Sequence, residues 1–176
     1  MSQIPNPALL PKTASLPGFA PESRIWVYVC SRPLTEAEAE SAQKQLNAFC
    51  QQWTAHNQSL MANAEVFNQQ FVVLMVDESR AGASGCSIDK SVHFLETLGA
   101  NLQVDFFERM RFAWVDEQGA FQFGNKAELA AAVNAQHINE HTLMANPLVQ
   151  TKQEFNEKWL LPFHQSWHRR MAAAHR

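Results

Sequence analysis

Apolar and polar positions follow two rhythms along this chain, and each rhythm predicts its own kind of element. Continuous or alternating apolar runs come first. Arg24–Arg32, RIWVYVCSR, is rich in β-branched and aromatic residues and is bounded by Pro21 and Pro33, which predicts a strand. Ala64–Phe67 and Phe71–Val76 predict two more, with the polar Asn68, Gln69 and Gln70 as the turn between them; one long strand is the alternative. The run FVVLMV is apolar at every position, which places it centrally in a sheet. MRFAWVDEQGAFQFGN predicts a hairpin that turns over Asp116–Gly119, with Gly119 suited to a positive φ.

Three- and four-residue spacing marks the helices. Ala39, Ala42, Leu46, Phe49, Cys50 and Trp53 form an amphipathic stripe, opened by Thr35 as N-cap with Glu38 completing a capping box. This helix is expected to end near His56 and Asn57, because Asn tolerates the left-handed C-cap. A second helix is expected over Ser87–Leu98, with Ile88, Val92 and Leu95 inward and Gly99 just past its end. KAELAAAVNAQ is helical by propensity. Beyond Thr151, Phe155, Trp159 and Phe163 recur every four residues, and Pro162 kinks the helix or opens a new one. Glu154 and Glu157 early, and Arg169 and Arg170 late, suit a helix dipole.

The order of the first six elements matches a split β-α-β plan. That predicts an α+β fold, a ferredoxin-like βαββαβ sandwich with an antiparallel sheet and both helices on one face. A three-layer α/β sheet is the alternative. Residues 1–23, with five prolines, read as an arm, and 24–176 as a single domain with a C-terminal helical extension from about residue 126.

Composition narrows the function. The chain has 176 residues, and 12 Phe and 5 Trp supply a sizeable core. A net charge of −3 does not favour a nucleic-acid or membrane-surface partner. No apolar run approaches the ~20 residues of a membrane span. Cys30, Cys50 and Cys86 are three, widely spaced, and without a Cys-x-x-Cys pair, which argues against a disulfide framework or a zinc ribbon. The N-terminus lacks the basic start of a signal peptide, and its prolines would break an apolar helix. A cytoplasmic protein with reduced thiols is the expectation.

The candidate chemistry lies after the central strand. Asp77, Glu78 and Ser79 would sit at its C-terminal edge, followed by a small-residue loop and then Cys86 at the start of a helix. Free N–H groups and the dipole at such a position stabilise a thiolate, lowering a cysteine pKa from ~8.5 to between ~3.5 and ~7.5. The same N–H groups suit an anion. Ser84 or Ser87 would cap the helix, Gly85 would make the turn, and Asp89 would oppose a thiolate or serve as a cap at the third helical residue. The competing reading makes Cys86 a small residue under close packing. His56 is the candidate base, favoured in its charged form at a helix C-terminus, against a plain surface histidine. Arg24, Arg32, Arg109 and Arg111 flank strands; ion pairing with Asp77, Glu78 or each other's neighbours, such as Asp105 with Arg109, outweighs an anionic ligand. His137–His141, HINEH, fits an inverted zinc-protease pattern, but surface histidines are the better reading and no metal or cofactor is expected.

Arg24-Ile25-Trp26-Val27-Tyr28, Phe49, Trp53 and His56, Phe71 with Asp77-Glu78-Ser79, and above all Ser84-Gly85-Cys86-Ser87-Ile88-Asp89 resemble a family of short uncharacterised bacterial proteins. Its members are often labelled ABC transporter ATPase. The resemblance covers roughly Arg24–Val115. An ATPase of that class needs a phosphate-cradling glycine loop with its lysine, and the chain has none. The family pattern carries Gly after the histidine, where this chain has Asn57. The resemblance implies a shared motif without a known reaction. Two readings remain. The first is a small enzyme or anion- or ligand-binding protein with its site at the Asp77–Asp89 loop: Cys86, His56 and Asp77 do the chemistry, and Ser84, Gly85, Ser87, Asp89 and Arg24 hold the ligand. The second is a non-catalytic protein-protein interaction module, in which a homodimer through a sheet edge is one option.

Overall fold

The computed structural model describes residues 6–173. In chain order the elements are β1 (Arg24–Val29), α1 (Glu36–Gln52), β2 (Thr54–Ala55), β3 (Gln58–Ser59), β4 (Met61–Phe67), β5 (Phe71–Asp77) and α2 (Gly85–Leu102). There follow β6 (Phe112–Val115), β7 (Phe121–Gly124), α3 (Lys126–Asn134), β8 (Leu143–Ala145), α4 (Lys152–Lys158), β9 (Leu160–Pro162) and α5 (His168–Ala173). The protein is a mixed α+β chain whose sheets are antiparallel throughout the described residues. Its contacts divide into two compact units. One holds residues 11–108 and 147–156; the other holds residues 6–10, 109–146 and 157–173.

The first unit is built on a three-stranded sheet in the order β1-β5-β4. The continuously apolar strand is central: all seven residues of β5 are buried, as two neighbours and two covered faces require. Val72, Leu74 and Val76 on one face share a core with Ala42, Leu46 and Cys50 of α1 and Leu95 and Leu98 of α2. Both helices therefore pack on the same face, as their stripes predict. Phe49 stacks on Phe94 with centroids 4.5 Å apart where the helices meet. Leu46 is fully buried, which stabilises the fold by roughly 1.5–3 kcal/mol. The capping box at Thr35 is present in both directions, and Arg32 adds a bidentate bond to Glu38 at 2.8 and 2.9 Å. The same guanidinium donates to the carbonyls of Leu102 and Gln103, tying the start of α1 to the end of α2.

Where a ferredoxin-like plan puts its fourth strand beside β1, this chain places residues 150 and 151: Ile25 N–H donates to the Gln150 carbonyl at 2.9 Å, and Arg24 bridges to Thr151. Phe112–Val115, the sixth element of that plan, pairs instead with β7 and β8. At the opposite edge β4 meets a side chain. Gln43 of α1 donates Nε2–H to the Ala64 carbonyl at 3.0 Å and accepts the Val66 N–H at 2.8 Å, as a neighbouring strand would.

Residues of the arm are ordered on this unit. Lys12–Ser15 form a 3-10 turn in which Thr13 donates both N–H and O–H to Glu65, at 2.8 and 2.6 Å. Lys152 Nζ holds the carbonyls of Leu16 and Phe19.

The second unit carries the sheet β7-β6-β8-β9. The hairpin turns at Asp116–Gly119 as expected: Gly119 has φ +79°, and Asp116 Oδ1 accepts the N–H groups of Gln118 and Ala120. Phe112, Trp114, Leu129, Ile138 and Met144 form its core.

Several expectations need correction. α1 stops at Gln52, short of the expected end near His56 and Asn57, because Thr54–Ser59 fold into a small hairpin with those two residues as its turn. The buried stripe of α2 runs through Ser87, Ser91, Leu95 and Leu98, while Ile88 and Val92 are only half-buried. Gly99 lies inside α2, and Gln103 is the left-handed cap, at φ +55°. The four-residue run Phe155, Trp159, Phe163 does not form one helix: α4 ends at Lys158, Trp159 is followed by a short strand, and Pro162 closes that strand. The tail from residue 126 is thus not purely helical, since β8 and β9 lie within it.

Candidate functional site

The sequence up to Cys86 builds its loop from its own carboxylates. Asp77, the last residue of β5, is buried, and its oxygens accept the Ala20 N–H at 3.0 Å and the Ser79 N–H at 2.9 Å. The Ala20 N–H, and then Ser79, hold the carboxyl below the usual range. Asp77 is therefore a fixed anion that pins the arm, with its lone pairs turned to the chain's own amides. Glu78 accepts the Ala83 N–H at 3.0 Å and faces Arg24 at 3.5 Å. Arg24 also lies over the Trp26 ring, 4.9 Å from its centroid. Both partners of the Arg24–Glu78 pair are partly exposed, so the pair contributes at most about 1 kcal/mol.

The helix then starts where the small residues predict. Ser84 is the N-cap: its Oγ accepts the Ser87 N–H at 3.2 Å and its carbonyl accepts the Ile88 N–H at 2.9 Å. Gly85 and Cys86 are the first two helical residues. Their N–H groups have no acceptor among the described residues, as the first turn of a helix leaves them. Cys86 is exposed, in contrast to the buried Cys30 and Cys50, and all three thiols are free. Burial pushes the Cys50 thiol up to about 12. The close-packing reading of Cys86 is thereby overturned. Asp89 is exposed at the fifth helical position; with Ser84 as cap it lies beyond the third, so it does not cap the helix.

His56 is reached from the other side. It sits with Asn57 in the tight turn of the β2–β3 hairpin, at φ +49° and +62°, an arrangement that needs two left-handed residues. Asn57 thus adopts the conformation a glycine would. The imidazole is exposed and gains nothing from a helix C-terminus, because α1 ends before it. The hairpin nevertheless packs on α2. Its anchor is Trp53, whose buried indole N–H donates to the Ser87 carbonyl at 2.8 Å, one residue past Cys86. The spacing pattern marks Trp53 as core but contains no sign of this bond.

Two of the remaining arginine candidates have structural partners. Arg32 is bound to Glu38, and Arg111 lies over the Phe123 ring at 4.5 Å. Asp105 does not lie on a helix; it closes a local turn by accepting the Phe107 N–H. His137 and His141 fall in a turn after α3, where they share no helix face, and the described residues contain no group of three metal-ligating side chains.

Gly82 and Gly85 have ordinary backbone angles, and a methyl group added at Gly85 would meet nothing within 4 Å. Gly85→Ala is therefore expected to leave folding stability unchanged or raise it by a few tenths of a kcal/mol. Urea denaturation checks this; a loss above about 1 kcal/mol would mean that the fold itself needs the glycine.

Fold and site together define a mixed α+β protein with an exposed thiol in the first turn of its second helix. No family model, curated protein or solved structure matches the chain. No helix among the described residues is long and apolar enough to cross a membrane.

Proposed function

We propose that this chain is a small ligand-binding protein or enzyme whose site is the first turn of α2, with Cys86 as its reactive or contacting group. One observation carries the reading: Cys86 is the exposed thiol, and it stands beside two helix N–H groups that no described residue uses. Such a position suits a thiolate or the anionic part of a ligand. Ser84 and Ser87 shape the turn, Gly85 leaves the approach open, and Arg24 and Glu78 brace the loop before it. The first unit is read as a ferredoxin-like variant in which residues 150 and 151 stand in for the missing edge strand. The likeness of Ser84–Asp89 to the short bacterial family supports a shared site, and the reduced thiols suit a cytoplasmic setting.

A second reading, a protein-protein interaction module, is favoured by a specific observation. Asp77 is spent on Ala20 and Ser79, and His56 belongs to a hairpin turn, so the proposed base and acid are engaged in structure.

Iodoacetamide labelling separates the two. In the folded protein Cys86 should label while Cys30 and Cys50 react only after unfolding. The nucleophile reading requires Cys86 to react faster than an unfolded-peptide thiol at about pH 6.5. A Cys86→Ser variant that retains the fast-labelling thiol would rule the site out.

A further inference from the structure

We propose that the concavity formed by the C-terminal segment of the second unit binds a compact polyanion, of the phosphate or polycarboxylate class. The cavity measures about 390 Å³, near the lower end of the ~300–1,000 Å³ typical of small-ligand sites. Its walls include Arg169, Arg170, His164, Gln165, Ser166 and Trp167, and no carboxylate among the described residues lines it.

Three features set this surface apart from ordinary basic residues. The first is charge. Neither Arg169 nor Arg170 takes part in an ion pair among the described residues, although the chain as a whole carries −3. Among the described residues the Arg169 guanidinium donates to the His164 carbonyl, at 3.1 Å, which orients it without neutralising it. The helix dipole does not account for Arg169, the second of the six residues of α5; Arg170 stands in its last turn.

The second feature is the fixed wall. Trp167 donates its indole N–H to Asn146 Oδ1 at 3.1 Å and stacks on the buried His168 with centroids 3.8 Å apart. His164 Nδ1 lies 2.8 Å from the Glu140 carbonyl, and its Nε2 lies 3.1 Å from Gln165 Nε2. These bonds hold Trp167 and His164 within the chain itself, which lowers the entropy lost on binding. The third is donor geometry: guanidinium forks match the paired oxygens of phosphate and carboxylate groups, and a single lysine-like point charge would not.

The test is calorimetric titration of the full chain with sodium pyrophosphate, and in parallel with citrate, at low ionic strength. One saturable site is expected. Binding of pyrophosphate alone assigns phosphate chemistry, citrate alone assigns carboxylate chemistry, and binding of both assigns compact polyanions in general. Arg169→Gln and Arg170→Gln should each weaken binding about tenfold, the loss expected of one charge-assisted contact. Arg170→Lys, which keeps the charge and loses the fork, should fall between. Lys44→Gln, on the exposed face of α1, should bind as the parent does. Circular dichroism confirms that each variant is folded. Heats that never saturate, an affinity unchanged in both arginine-to-glutamine variants, or an equal loss in Lys44→Gln would overturn the proposal.

Discussion

Folding stability should fall by about 3 kcal/mol as the pH drops from about 6.5 to about 4, and the group responsible should be His168. This imidazole is completely buried, its Nδ1 lies 2.5 Å from Ser166 Oγ, and its Nε2 has no hydrogen-bond partner among the described residues. Trp167 covers one face of the ring and Phe112 meets it edge-on at a centroid distance of 5.7 Å. Burial lowers its pKa from 6.5 to about 4, and no carboxylate among the described residues offsets the cost of a charge there. The unfolded chain therefore takes up a proton below about 6.5 that the folded chain refuses until about 4, so unfolding gains in that window and the loss levels off beneath it. Glu38 acts in a different range. Its bond to Arg32, and then to the Thr35 N–H, lower it to about 2, so its contribution is present above the ordinary glutamate pKa of ~4.3 and is lost on descent toward 2. Urea midpoints measured at pH steps through both windows separate the two. A His168→Leu variant should show a flat profile between about 6.5 and 4; a slope equal to the parent's would show that His168 is not the group.

The second large effect concerns Gly99. A helix-interior Gly→Ala change ordinarily stabilises by about 0.5–1 kcal/mol. Here a Cβ would lie 2.5 Å from the Val104 carbonyl oxygen and 3.4 Å from the Phe106 ring. The oxygen belongs to the backbone that turns back under the end of α2, where the Val104 N–H donates to the Gly99 carbonyl at 2.9 Å. Because backbone has little room to yield, Gly99→Ala should cost about 1–3 kcal/mol, against the helix propensity. Chemical denaturation of Gly99→Ala beside Gly85→Ala gives opposite signs if close approach governs the first and open solvent the second. A stabilised Gly99→Ala would show that the chain after α2 can move aside.

The residues that were legible in the sequence share one property: their partners are close by along the chain. The capping box at Thr35 and Glu38, the Asp116 turn and the Ser84 cap all close within three or four residues. The central strand was readable because burial on both faces leaves no polar position. What escaped was decided at long range or by side-chain bonds that disguise polarity. Ser87 and Ser91 turn inward because their hydroxyls bond to the carbonyls of Ser84 and Ile88, so the helix's own backbone satisfies them and two half-buried aliphatics are left outside. β8 and β9 have three residues each and pair across some fifteen positions of intervening chain, too short to imprint a period. The hairpin at Thr54–Ser59 is polar and mostly exposed apart from the buried Ala55, and only Asn57 hints at its turn. That hairpin relocated His56, and with it the base expected at a helix end. The helix start at Ser84 and Cys86 was legible because its bonds are local; the bond of Asp77 to Ala20, fifty-seven residues away, was not.

The amide of Gln43 bears on solubility. An edge strand with free N–H and C=O groups is a template on which a second chain can add, and proteins commonly guard such edges with charges, prolines or bulges. Here a neutral side chain projected from α1 occupies the Ala64 and Val66 groups. Its hold is only as firm as the packing of α1 on β4. Partial opening of α1 would uncover the Ala64 and Val66 backbone groups of β4 at the moment when neighbouring molecules can reach them. The onset of aggregation in this chain is therefore tied to the local stability of one helix.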